Sequence, residues 1–217
     1  GIQWIRILYC YPEEIYPELI QTMKEEKKIC HYLDLPIQHC SDKILKKMGR
    51  RTTKQELIDI VALLRKEIPD IILRTTLITG FPGETEEDHE ELMEFIDTME
   101  FDRLGVFTYS AEEDTPAANM PNQIAEEVKQ DRQAELMELQ QEISIDKIGT
   151  CVEVMIEGKV ADENAYVGRT YGDAPNVDGY IFINTDTELM SGDFARVHVT
   201  GALEYDLIGE LENEYTE

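Results

Sequence analysis

The chain has 217 residues, enough for one large or two modest domains, and 42% are hydrophobic, the share of a globular protein. It counts 46 acids against 20 bases, a net charge of −26, which excludes an extended nucleic-acid face built on clustered Lys and Arg and suits a basic partner or plain solubility. No apolar run approaches the ~20 residues of a membrane span, and the start, GIQWIRILYCYPEE, has no signal-peptide pattern, so no membrane partner and a soluble, cytoplasmic protein are expected.

The first two-thirds alternate strand and helix. Trp4–Tyr9 reads as a strand, and Pro12–Lys27 as a helix with Ile15, Leu19, Ile20 and Met23 at helical spacing. Tyr32–Ile37 is the second predicted strand. Ser41-Asp42 cap a short helix carrying Ile44, Leu45 and Met48, stopped by Gly49. Thr53 opens a longer one, Lys54–Glu67, with Leu57, Ile60, Val61 and Leu64 inward. Ile71–Thr79 is the third strand, its Leu73, Leu77 and Ile78 set among β-branched threonines. Gly80, Pro82 and Gly83 then make a turn. Thr85 offers an N-cap hydroxyl, and Glu86, Glu87 and Asp88 fill a first helical turn where the dipole favours negative charge. That helix runs Thr85–Met99 with Leu92, Met93, Phe95 and Ile96 apolar. Phe101–Tyr109 is the fourth strand, and a long helix from Ile124 to about Ser144 follows a polar segment.

Such repeats give a parallel sheet, curved or closed, with its ligand face at the C-terminal strand ends. Those ends carry Tyr9-Cys10-Tyr11, Gln38-His39, Gly80-Phe81-Pro82-Gly83 and Tyr109-Ser110. Four units are few for a barrel that closes at eight, so the sheet is open or units precede it, and the abrupt start at a strand suggests a fragment. The Gly80–Gly83 turn is no phosphate cradle. No lysine follows Gly83, and Glu84, Glu86, Glu87 and Asp88 repel a polyphosphate. A tight turn with glycines for geometry alone is the plain alternative to a site.

The four cysteines, Cys10, Cys30, Cys40 and Cys151, form no CxxC or CxxxCxxC. Cys30-His31 and His39-Cys40 flank the Tyr32–Ile37 strand. At ~3.3 Å per residue their separation of about 25–30 Å excludes a shared zinc. Cys40 suits a small buried thiol better than a catalytic one.

From about residue 148 to 210, helical periodicity gives way to short alternating strands: CVEVMIEGKV, YVGRT, GYIFIN, DFARVHVTGAL and YDLIGEL. They read as a small antiparallel barrel, with the boundary near Ile145–Gly149. Ser144–Glu217 counts 16 acids and 4 bases, a net of −12. Tyr166, Tyr171, Tyr180 and Phe182 supply the aromatics of an RNA-stacking surface without its charge, so a basic protein or peptide is the better partner.

LDLPIQHCSDKILKKMGRRTTKQEL, LRTTLITGFPGETEEDHEEL and FDRLGVFTYSAEEDTPAA resemble the radical S-adenosylmethionine methylthiotransferases, nearer to the ribosomal-protein (RimO-type) branch than to the tRNA (MiaB-type) branch. YVGRTYGDAPNVDGYIFI and DFARVHVTGALEYDLIGEL resemble the TRAM barrel that ends those enzymes. The likeness covers nearly the whole chain. It implies an α/β fold: a partial (βα) radical-SAM barrel, residues 1–146, with about four of six units, followed by a small all-β, OB-like TRAM barrel, residues 147–217. It also implies the cofactors S-adenosylmethionine and two [4Fe–4S] clusters, and a reaction in which a 5′-deoxyadenosyl radical abstracts hydrogen before a methylthio group is installed. The implied substrate is the β-carbon of an aspartate in small-subunit ribosomal protein S twelve, a basic protein. The family's CxxxCxxC and N-terminal cysteines are not in this sequence, so the chain as given is expected to hold no cluster and not to turn over. The stretch ISIDKIGTCVEV is several residues shorter than the family leads one to expect.

The resemblance assigns Gln38 and Arg50 to the ribose and carboxylate of S-adenosylmethionine. An amide can bridge a diol, and a guanidinium pairs bidentately with a carboxylate. Arg51 is an alternative to Arg50, and a barrel-mouth hydrogen bonder and a solvated cation are the plain alternatives. Ile78, Gly80, Phe81, Pro82 and Gly83 correspond to the segment along the adenine, with Val106 and Phe107 as the apolar wall opposite; core packing is the alternative for that last pair. Thr76 stands where other branches often carry an aspartate. Glu112-Glu113 and Asp114 suit either a basic substrate loop or solvent. No catalytic side chain and no metal ligand is assigned. A tRNA-modifying relative and a non-catalytic module that binds a ribosomal protein are the competing functions.

Overall fold

In the computed structural model the described residues are 1–145, 148–161, 163–203 and 206–213. The chain divides into two compact units, Gly1–Gln140 and Gln141–Glu217. The expected boundary between 146 and 147 lies outside the described residues, as do Tyr205, at the start of the last expected strand, and part of the short ISIDKIGTCVEV connection.

The first unit holds four parallel strands in the order β1 (Ile5–Ile7), β2 (Ile29–Asp34), β3 (Ile72–Thr79) and β4 (Arg103–Thr108). Its helices are α1 (Pro17–Glu25), α2 (Asp42–Lys47), α3 (Lys54–Glu67), α4 (Glu86–Met99) and α5 (Glu126–Ile145). Two expected elements differ. The helix expected over Pro12–Lys27 is a 3-10 turn at Pro12–Glu14 and then α1. Pro17 forces Tyr16 into extended backbone (φ −117°, ψ 158°), and itself takes the first helical position. The second strand starts at Ile29 and its ladder ends at Asp34; Leu35 N–H still donates to the Arg74 carbonyl at 2.8 Å, and the chain meets β3 again at a bridge between Gln38 and Leu77.

The long helices start where their caps require. Thr53 and Glu56 form a capping box on α3, and Thr85 and Asp88 form one on α4. Leu33, Leu73, Leu77, Leu92, Ile96 and Phe101 are fully buried between sheet and helices.

The second unit is a closed barrel, in the order β5 (Cys151–Lys159), β6 (Ala165–Thr170), β7 (Ile181–Asn184), β9 (Leu207–Leu211) and β8 (Phe194–Ala202). It is not wholly antiparallel: β7 and β9 run parallel, pairing Ile181 with Leu207. Val154, Ile156, Ile181, Ile183, Val197 and Val199 fill its core. Tyr166 joins them, buried, its hydroxyl accepting the Leu189 N–H at 3.2 Å, so it offers no stacking face.

Candidate functional site

The strand ends of the first unit bring two segments together. Gln38 N–H donates to the Thr76 carbonyl and Ile78 N–H to the Gln38 carbonyl, both at 2.9 Å. These bonds fasten the Leu35–Ser41 segment alongside β3. Gln38 has φ +70°, a conformation a residue with a side chain adopts at a cost of about 1–3 kcal/mol. Its side-chain Oε1 is buried without a hydrogen-bond partner. Strain and an unsatisfied acceptor at one residue mark a place prepared for something else.

Arg50 closes on the same segment. Its guanidinium donates to the Pro36 carbonyl and lies 5.1 Å over the Tyr11 ring. Arg51 points elsewhere, into a separate groove of about 490 Å³ with Pro12, Glu13 and Ile60. Geometry therefore favours Arg50 over Arg51 as the neighbour of Gln38.

The turn after β3 is held from inside by Glu84, whose side chain is completely buried. Its carboxylate accepts the N–H groups of Gly80 (2.8 Å) and Phe81 (3.2 Å), the Thr79 hydroxyl (3.3 Å) and Arg132 Nη1 (2.9 Å). Burial alone raises the Glu84 pKa, but the donors around it, Arg132 and the Phe81 N–H among them, outweigh it and hold the carboxyl below its usual value. In the sequence Glu84 counts as one of four acids that repel a polyphosphate at the helix start. It is instead the acceptor that collects the turn's orphan amides, and the signal was a carboxylate directly after a Gly-x-x-Gly turn with N–H groups to satisfy.

Gly80 and Gly83 have φ of +73° and +81°. A Cβ on Gly80 would lie 2.3 Å from Lys129 Cγ of α5, whose Nζ donates to the Tyr109 carbonyl at 2.8 Å. One on Gly83 would lie 2.3 Å from Lys47 Nζ, which also reaches the Pro82 carbonyl at 3.4 Å. Phe81 is buried with Ile44 and Tyr109, stacked edge-on to Tyr109 at 5.2 Å, and Ile78, Met48 and Met120 pack around them. So Ile78, Phe81 and the glycines share one corner with Gln38.

Val106 and Phe107 do not form one wall. Neighbours along a strand face opposite sides of a sheet. The β3–β4 register pairs Leu77 with Val106 and Ile78 with Phe107. Leu77 and Val106 are buried, whereas Phe107 is 60% exposed on the Ile78 face. Phe107 can line a site there; the Val106 side chain cannot, and its carbonyl accepts from Gln133 Nε2 at 2.6 Å. The Thr76 hydroxyl is engaged too, accepting from Arg74, which also pairs with Asp34 at 3.0 Å. Glu112, Glu113 and Asp114 lie exposed on the following loop.

Cys40 is buried, its thiol within 3.5 Å of the Glu91 carbonyl. Burial, helped by Glu91, pushes its pKa up to about 12, the setting of an inert thiol. Among the described residues no group of three or more Cys, His, Asp and Glu side chains could hold a metal ion. Among the described residues no helix is long and apolar enough to cross a membrane.

Family models match both units: the Radical SAM superfamily over residues 1–96 and the TRAM domain over residues 148–211. The chain is 64% identical, over 98% of its length, to a protein of Lachnoclostridium phytofermentans described as ribosomal protein uS12 methylthiotransferase RimO, and spans 49% of that relative. Proteins of the same description from Clostridium botulinum (strain Langeland) and Clostridioides difficile (strain 630) are 54% and 50% identical over 99% and 97% of the chain, which covers 48% of each. The chain thus spans about half the length of the curated relatives it matches.

Proposed function

We propose that this chain supplies the S-adenosylmethionine-holding strand ends and the substrate-docking TRAM barrel of a methylthiotransferase that acts on an aspartate β-carbon of ribosomal protein uS12. The observation that carries the first part is Gln38: a strained backbone and a buried, unpartnered side-chain Oε1 beside the Gly80–Glu84 turn. Those features fit a ligand with hydroxyl donors and an apolar ring. Gln38 would accept from a ribose hydroxyl, and Arg50, already at the Pro36 carbonyl, would neutralise a carboxylate. The Gly80–Gly83 backbone and Ile78, with Phe107 on the same face of the sheet, would take the adenine. Bound there, S-adenosylmethionine supplies the 5′-carbon that starts the reaction.

The described residues do not fit an iron–sulfur cluster, and no cluster ligand is assigned to them. For the second part, the net charge of −12 on residues 144–217 favours a basic protein over a phosphate backbone.

Calorimetric titration of the chain with S-adenosylmethionine tests the site. Binding that weakens by roughly tenfold in Gln38→Ala and in Arg50→Ala, each the loss of about one polar contact to the ligand, is expected. Wild-type affinity in both variants would remove these residues from the site, and absence of binding to the wild-type chain would remove the site itself.

A further inference from the structure

We propose that His39 is a positioning residue that couples the Leu35–Ser41 segment to the Gly80–Glu84 turn through Glu84, and so holds Gln38 in its strained conformation. The coupling deepens the reading of Gln38 as a ligand-binding residue and rests on it for its consequence in binding, though not for its geometry.

The His39 side chain is completely buried. Its Nδ1 accepts two backbone N–H groups, of Cys40 and of Ser41, both at 3.0 Å. A ring nitrogen that accepts carries no proton, so the neutral imidazole holds its proton on Nε2. That Nε2 has no hydrogen-bond partner and stands 3.6 Å from Glu84 Oε2. The same oxygen gathers the Gly80 and Phe81 amides. The other, Oε1, takes Arg132 and Thr79. One carboxylate therefore faces the donor of the first segment while binding the backbone of the second. A buried donor aimed at a buried anion closes to a charge-assisted bond with a shift of a few tenths of an ångström. Gln38 is covalently next to His39, so fixing the ring against Glu84 fixes the backbone carbonyl to which Ile78 N–H donates. A histidine serving only as filler needs neither the Nε2 tautomer nor this facing carboxylate.

Two isosteric replacements separate the ring's two functions. His39→Asn keeps an acceptor near the Nδ1 position and cannot reach Glu84, whereas His39→Gln keeps a donor near the Nε2 position and gives up the Nδ1 acceptor. Amide hydrogen exchange and imidazole nitrogen shifts are measured on the 217-residue chain, with S-adenosylmethionine as the titrant. The expected results are an Nε2–H tautomer and, in His39→Asn, exchange at Gly80 and Phe81 and a dissociation constant each raised about tenfold, the worth of one charge-assisted bond. Amides of the residue 148–211 barrel should not change, and His39→Gln should recover most of both effects. An Nδ1–H tautomer in the wild-type chain, or unchanged Gly80 and Phe81 exchange in His39→Asn, overturns the proposal. If His39→Asn does not fold, the wild-type tautomer and His39→Gln decide in its place. If the wild-type chain does not bind S-adenosylmethionine, the reading of Gln38 as its ligand fails, while the exchange arm still decides the coupling.

Discussion

At the scale of single residues, burial separates the groups that can react from those that only hold structure. Cys40 sits beside Gln38 and His39 in sequence, yet its thiol, raised to about 12 by burial and Glu91, stays protonated at any pH the fold normally meets. Cys151 is exposed. Iodoacetamide at about pH 8 should therefore label Cys151 in the native chain and spare Cys40 until denaturant is added. Equal labelling rates at both would show that the Cys40 pocket opens to solvent. Gln38 is a candidate in the sequence through the resemblance, which sets it at a strand end against the ribose of S-adenosylmethionine. Its strain and its unpartnered Oε1 were not legible, since both depend on where β3 lies. Val106 and Phe107 were read as a pair because sequence adjacency carries no facing; the pleat sends them to opposite sides.

At the scale of elements, the capping signals proved the most readable. Thr85 and Asp88 close the start of α4, with Thr85 N–H donating to Asp88 at 2.8 Å. Tertiary structure adds a second use: Asp88 also accepts from Ser41 (2.7 Å) and Lys43 (2.6 Å), tying the start of α2 to α4. Burial raises the Asp88 pKa, but the Lys43, Thr85 and Ser41 donors outweigh it and hold the carboxyl far below its ordinary value. Because the folded value lies below the unfolded one, this stabilisation is complete above the ordinary aspartate range and is lost as pH falls through and below it. Asp88→Ala should cost about 2–3 kcal/mol in urea unfolding at neutral pH, combining a lost cap with partners left unpaired. The gap to wild type should narrow in acid; a gap independent of pH would assign the loss to packing rather than to charge. The interruption before α1 was missed for the converse reason. Periodicity through Ile15, Leu19 and Met23 masked Pro17, whose ring acts on the residue before it.

At the scale of the molecule, charge is the property that composition reports well. The −12 of residues 144–217 predicts that a basic protein binds the barrel of the second unit with an affinity that falls steeply as salt rises. Salt-insensitive binding, or preference for an RNA stem-loop, would contradict it. Burial of Tyr166 strengthens the case, since it removes one of the four aromatics that stacking would use.

The sequence by itself determined the run of most helices and strands, the acidity of residues 144–217 and the glycine turn at Gly80–Gly83. These follow from periodicity, backbone restrictions and summed charge, all of which act between near neighbours or need no geometry. Only the tertiary structure decided which residues meet there. Glu84 became a buried anchor because Arg132, 48 residues later, and His39, 45 residues earlier, arrive around it. Gln38 takes its positive φ where its backbone pairs with Thr76 and Ile78 of β3. Such contacts are set by how strands pair and helices pack, and no local pattern in the chain encodes that closure.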